Sequence, residues 1–263
     1  MSYRLFQYLT GITAILGFIS CGDSGTSSDV GSNSDLLSST ILESSSSETH
    51  SSANSSSSKV AWMYLNPSIS YGEIEDARDK QVYKTVVIGT QTWMAENLNY
   101  AVDSSWCYNN STDSCTKYGR LYQWAAAMNI DVAYNETAWG WGGSDVNHQG
   151  ACPSGWHIPI GDEWRMLENA VGGGSMAGTA LKSTSGWDES GNGTDNYGFS
   201  ALPSGFRRDT SEFDGVDLNT SFWSAVEYDS INVFVRIMDV LYTFEFEDDY
   251  YKDYSFSVRC VKD

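Results

Sequence analysis

The chain has 263 residues, with 34 Asp and Glu against 15 Lys and Arg, a net charge of −19 and 14% aromatic residues. A surface this acidic excludes nucleic-acid binding through a phosphate-neutralising patch, and excludes polybasic attachment to a membrane. Its ordinary consequence is solubility and weak self-association.

Residues 1–20 read as an export signal: Arg4 supplies the positive end and Leu9 to Ile19 the apolar core. The apolar run is about 15 residues, short of the ~20 that a spanning helix needs. Phe18-Ile19-Ser20 before Cys21 resembles a bacterial lipobox, with Phe18 where Leu is usual. Cys21 is therefore the expected lipidation site, and the rival reading is ordinary signal cleavage. A diacylglycerol anchor holds a protein stably without a transmembrane helix. Loss of the leader removes Arg4 and no acid, moving the net charge from −19 to −20. The expected location is the cell envelope, with the membrane as partner through the lipid.

Residues 21–59 are a Ser-rich tether. They carry pure serine blocks at Ser44–Ser47 and Ser55–Ser58 and no aromatic residue. Such a segment cannot bury enough surface to offset its ordering entropy. As a flexible coil it would reach ~35 Å, enough to hold a domain clear of the headgroups. Residues 60–73 read as a connector and 74–263 as one domain, with all ten Trp between Trp62 and Trp223.

Within the domain, Val82–Ile88, a Gly89-Thr90 turn and Gln91–Met94 predict a hairpin. Leu121–Met128 predicts a helix, with Leu121, Trp124, Ala125 and Met128 on one face. Asp162–Val171 predicts a second, with acids in its first turn and Gly172-Gly173-Gly174 ending it. Further strands are expected at Phe199–Leu202, Phe222–Val226, Asn232–Met238, Leu241–Phe246 and Ser255–Val261. Two helices among many short strands predict an α+β fold.

Several blocks resemble one known family. They are Asp79–Tyr100 with its Gly89-Thr-Gln-Thr-Trp-Met-Ala-Glu-Asn-Leu-Asn-Tyr100, Tyr118-Gly-Arg-Leu-Tyr-Gln-Trp124, and Cys152-Pro-Ser-Gly-Trp-His-Ile-Pro159. Tyr197-Gly-Phe-Ser-Ala-Leu-Pro203 and Phe256-Ser-Val-Arg-Cys260 follow. In this order, over residues 74–263, they resemble the Fibrobacter succinogenes major paralogous domain. The resemblance implies a secreted or lipid-anchored surface protein and a C-type lectin-like fold. Ile158-Pro-Ile-Gly-Asp-Glu-Trp164 is also similar to the helix start of sulfatase-modifying-factor domains. No activity comes with the resemblance.

The four domain cysteines allow three pairings. Cys107 and Cys115 flank a polar loop and can close a hairpin. A Cys152–Cys260 bridge is what the lectin-like resemblance implies. A zinc site is the rival, but the spacings do not suit paired knuckles and export favours oxidation. The lipid-binding and structural cysteines leave none for catalysis. His148 and His157 are the only domain histidines, no Gly-x-Ser-x-Gly elbow is present, and no carboxylate pair stands out. Glu163 and Glu168 read as helix-dipole and solvent-facing residues. A non-enzymatic chain with no cofactor and no metal is expected. Glu245, Glu247, Asp248 and Asp249 could ligate calcium or line the outer face of an edge strand. The ligand-binding candidates are Trp139, Trp141, Tyr250 and Tyr251, able to stack on a glycan or contact another surface protein. Their alternative role is to cap a hydrophobic edge. A structural scaffold without soluble ligand is the second functional reading.

Overall fold

The computed structural model describes residues 59–140, 147–188, 190–241 and 244–263. In chain order the elements are α1 (Lys59–Trp62), β1 (Gly72–Glu75), β2 (Val82–Ile88), β3 (Gln91–Met94), β4 (Ser105–Trp106) and α2 (Thr112–Tyr118). Next come β5 (Leu121–Gln123), α3 (Trp124–Met128), β6 (Trp156–His157), α4 (Gly161–Ala170) and α5 (Gly174–Leu181). The chain ends in strands: β7 (Ser204–Arg207), β8 (Phe213–Val216), β9 (Asn219–Glu227), β10 (Asn232–Asp239), β11 (Phe244–Tyr251), β12 (Ser255–Ser257) and β13 (Val261–Lys262).

The fold is α+β, mostly strand, with two disulfides, and its described helices are five short ones where two were expected. A five-stranded sheet runs β1-β2-β3-β13-β6 and an eight-stranded sheet runs β11-β10-β9-β7-β12-β5-β4, with β8 on β7. Pairing is antiparallel except where β9 meets β7 and β12. The β2–β3 hairpin forms as expected, Ile88 pairing with Gln91 across the two-residue turn and Gly89 at φ 61. The expected strand Ser255–Val261 is two strands, because the chain leaves one sheet after Ser257 and joins the other at Val261. That crossing brings Cys260 to Cys152, the bridge the resemblance implied.

Four other expectations are corrected. Leu121–Met128 is only half helical, since Leu121 and Tyr122 pair with β4 and β12 before the chain coils at Trp124. Phe199–Leu202 is not a strand; it contributes one parallel bridge, Lys182 to Ala201. Strand β11 begins at Phe244, three residues beyond Leu241, and runs on to Tyr251. The Cys107–Cys115 bridge forms, but it closes a tight turn and the start of α2 and not a hairpin.

Two apolar clusters fill the interior. One gathers Trp124, Trp223, Phe256 and the Cys152–Cys260 bridge. The other gathers Trp93, Trp164, Phe199 and Phe222. Arg259 is fully buried beside the second cluster. It donates to Asn97 Oδ1 at 2.7 and 3.0 Å and to the carbonyls of Met94 and Phe199. The segment 60–73 is folded onto the domain: Trp62 Nε1 donates to Glu96 at 2.9 Å, and Ile69 and Tyr71 join the second cluster.

Candidate functional site

Of the four predicted platform residues, Trp139, Tyr250 and Tyr251 lie at one end of the eight-stranded sheet. Glu227 of β9, Val233 of β10 and Tyr250 of β11 form one row across the strands. The Glu227 carboxylate accepts from the backbone N–H of Trp139 and of Gly140, both at 2.9 Å. Trp139 is thereby fixed to the end of β9, which is separated by β10 from the β11 strand that carries Tyr250. Its ring is half-buried, meeting Trp124 at 6.2 Å, Tyr134 at 6.5 Å and His148 at 4.9 Å. Tyr250 likewise leans inward on Phe256, at 5.2 Å. These two cap the hydrophobic edge, and Tyr251 is exposed. Trp141 and Cys21 lie outside the described residues, as do the side chains of Glu245, Glu247, Asp248 and Asp249.

The arrangement is organised by Lys252, which sequence reading passed over. Its side chain has no exposed surface, and its ammonium donates to three acceptors. These are Glu227 Oε1 at 2.5 Å, Ser230 O at 2.8 Å and Thr137 O at 3.1 Å. Three N–H donors meet three acceptors, so the buried charge is both paired and fully hydrogen-bonded. The ammonium also lies 4.7 Å from the Trp124 ring. One cation therefore holds the Thr137–Gly140 loop, the end of β9 and the β9–β10 turn together. Asp229 fixes that turn from its other side, accepting from the backbone of Ile231 and Asn232.

The frame presents large apolar side chains to solvent beside the exposed Asp229 and Ser230. Tyr228 is 50% exposed, Ile231 40% and Tyr251 51%. They are neighbours: Tyr251 pairs with Asn232, and the Lys252 N–H donates to Ile231 O at 3.0 Å. Tyr228 also meets the Phe234 ring at 5.5 Å. The usable signal in the sequence was Lys252 itself, a single cation following a run of acids and tyrosines.

Other candidates are placed elsewhere. Trp93, Trp124, Trp164 and Trp223 are fully buried and Trp156 nearly so. His157 is clamped between Asp263, 2.7 Å from Nδ1, and Glu163, 2.8 Å from Nε2. Burial opposes its protonation, but the two carboxylates outweigh that and raise its pKa. Glu163 is consequently not solvent-facing: its second oxygen accepts from Ile160 N at the start of α4. Glu168 faces Arg236 at 3.4 Å. Among the described residues no group of three or more His, Cys, Asp or Glu could hold a metal ion, and no helix is long and apolar enough to cross a membrane.

Fold and site together define a disulfide-stapled α+β domain that holds an aromatic tip rigidly at one end of its larger sheet. The chain belongs to the Fibrobacter succinogenes major domain family, whose profile matches residues 86–262. No curated protein and no solved structure matches it.

Proposed function

We propose that the chain is a lipid-anchored protein of the cell envelope whose domain, of C-type lectin-like fold, is a non-catalytic binding module. Its β9–β10 tip engages another protein of the envelope surface. The single observation behind this reading is that Tyr228, Ile231 and Tyr251 are exposed at adjoining backbone positions on a frame held by Lys252 and Glu227. Exposed aromatics on a rigid support give contact area at low entropic cost, which is how binding hot spots are built. Lys252, Glu227 and Asp229 direct hydrogen bonds into the frame, and the rings of Tyr228 and Tyr251 with the Ile231 side chain supply apolar contact area beside them. The leader, Cys21 and the Ser-rich tether supply the address and the reach.

The anchor and the tip separate in one experiment. The full chain carrying Cys21→Ser should leave the membrane fraction and then bind isolated envelope fragments. Protease shaving of those fragments should abolish binding. Adding Tyr228→Ala and Tyr251→Ala should weaken it by at least about tenfold. An unchanged membrane fraction would defeat the anchor. Binding that survives the double substitution would defeat the tip, and no binding at all would favour a structural scaffold.

A further inference from the structure

A second site lies away from the tip, in a cleft of about 340 Å³ between the β1–β2 edge and the turn at residues 194–198. That volume falls in the range of small-molecule pockets. We infer that this cleft binds a neutral sugar, a unit of one or two rings, with Tyr197 as its stacking platform.

The lining chemistry selects this class of ligand. In a chain of net charge −19, no charged side chain lines the cleft. Ile69 and Val87 give apolar walls, Tyr197 an aromatic face, and Asn196 and Thr85 an amide and a hydroxyl. A sugar ring offers the same two kinds of surface, an apolar face and a hydroxyl rim. Val87 is 68% exposed and Tyr197 37%, both large side chains left open to solvent at the cleft. Gly72 keeps the floor free, since a Cβ there would lie 2.7 Å from Thr85 Oγ1.

The turn carrying Asn196 and Tyr197 is held in place before any ligand arrives. Asp195 is fully buried at φ 46, a left-handed conformation unusual outside glycine. Its carboxylate accepts from Ser200 N at 2.8 Å and Ser200 Oγ at 2.6 Å, and its carbonyl accepts from Asn66 Nδ2 at 2.8 Å. Gly198, at φ 73, lies so close to Ile69 and Tyr71 that any Cβ would collide with them. A strained, over-determined turn that ends in an exposed Asn-Tyr pair is the pattern of a preorganised site.

The site is independent of the tip, and the test separates them. Saturation-transfer NMR on the full-length protein would use lactose, maltose and cellobiose, with glucuronic acid as an anionic control. At least one neutral disaccharide should bind and glucuronic acid should not. Tyr197→Ala should weaken that binding by about tenfold, Tyr197→Phe should retain it, and Tyr228→Ala with Tyr251→Ala should leave it unchanged. If Tyr197→Ala does not fold, Asn196→Ala carries the test with the same expected direction. The inference is overturned if no neutral disaccharide binds, if glucuronic acid binds equally well, or if the Tyr197 and Asn196 substitutions have no effect. It is also overturned if binding follows the tip substitutions instead. Envelope binding that survives Tyr228→Ala with Tyr251→Ala, with sugar binding intact, would refute the tip alone.

Discussion

Glu96 shows at the scale of one residue how burial has been tolerated in this domain. Its Oε2 accepts from both Lys84 N, at 2.6 Å, and Trp62 Nε1, at 2.9 Å, so the carboxylate pins the 60–73 segment to β2. Burial raises its pKa from 4.5 to about 7 in spite of those two donors. The folded protein then holds the Glu96 proton more tightly than the unfolded chain does. Its contribution to stability is fully present below about pH 4.5 and is lost as the pH rises through 7. Asp195, raised by burial to about 6, acts in the same direction. Because both donors converge on one oxygen, Glu96→Gln can keep both bonds without titrating. Urea unfolding at pH 5 and pH 7 should therefore show a smaller loss of stability across that interval in Glu96→Gln than in the wild type. Equal losses would contradict the assignment.

At the scale of elements, the tip depends on two loops and a strand end meeting one ammonium. Lys252→Met removes the cation and leaves Glu227 buried at 10% side-chain exposure with its charge uncompensated. Breaking such a pair costs about 3–5 kcal/mol. The variant should lose stability of that order in urea unfolding, and the amides of Trp139 and Gly140 should exchange faster. Unchanged exchange would show that the loop is held by other contacts. Elements with purely local signals were legible in the sequence: α4, from Pro159, its acidic first turn and the spacing of Trp164, Leu167 and Val171, and the β2–β3 hairpin, from Gly89-Thr90. Helix α5 was not legible. Gly172-Gly173-Gly174 reads as a stop, yet Gly172 and Gly173, at φ 106 and 86, only turn the chain before Gly174 opens the next helix. Strand β5 was hidden for another reason. Its three residues share a helical period with α3, and only their pairing with β4 and β12, far away in sequence at β12, makes them extended.

At the scale of the whole molecule, composition sets the aromatic domain apart from the Ser-rich segment that precedes it. Family membership then rests on blocks scattered over residues 86–262. The tip was only partly readable. Trp139, Tyr250 and Tyr251 were picked for their aromatic rings, and two of the three turned out to be inward packing. Tyr228, Ile231, Glu227 and Lys252 gain their roles from the β9–β10–β11 register, which no local pattern encodes. The central claim is that this tip is the face presented to a partner. Its most direct measurement is site-specific photocrosslinking in living cells, with the crosslinker at Ile231 of the full-length protein and, as control, at the exposed Met166 of α4. A discrete protein adduct from position 231, absent from 166 and lost when Tyr228→Ala and Tyr251→Ala are added, is the predicted result. No adduct from 231, or the same adduct from both positions, would contradict it.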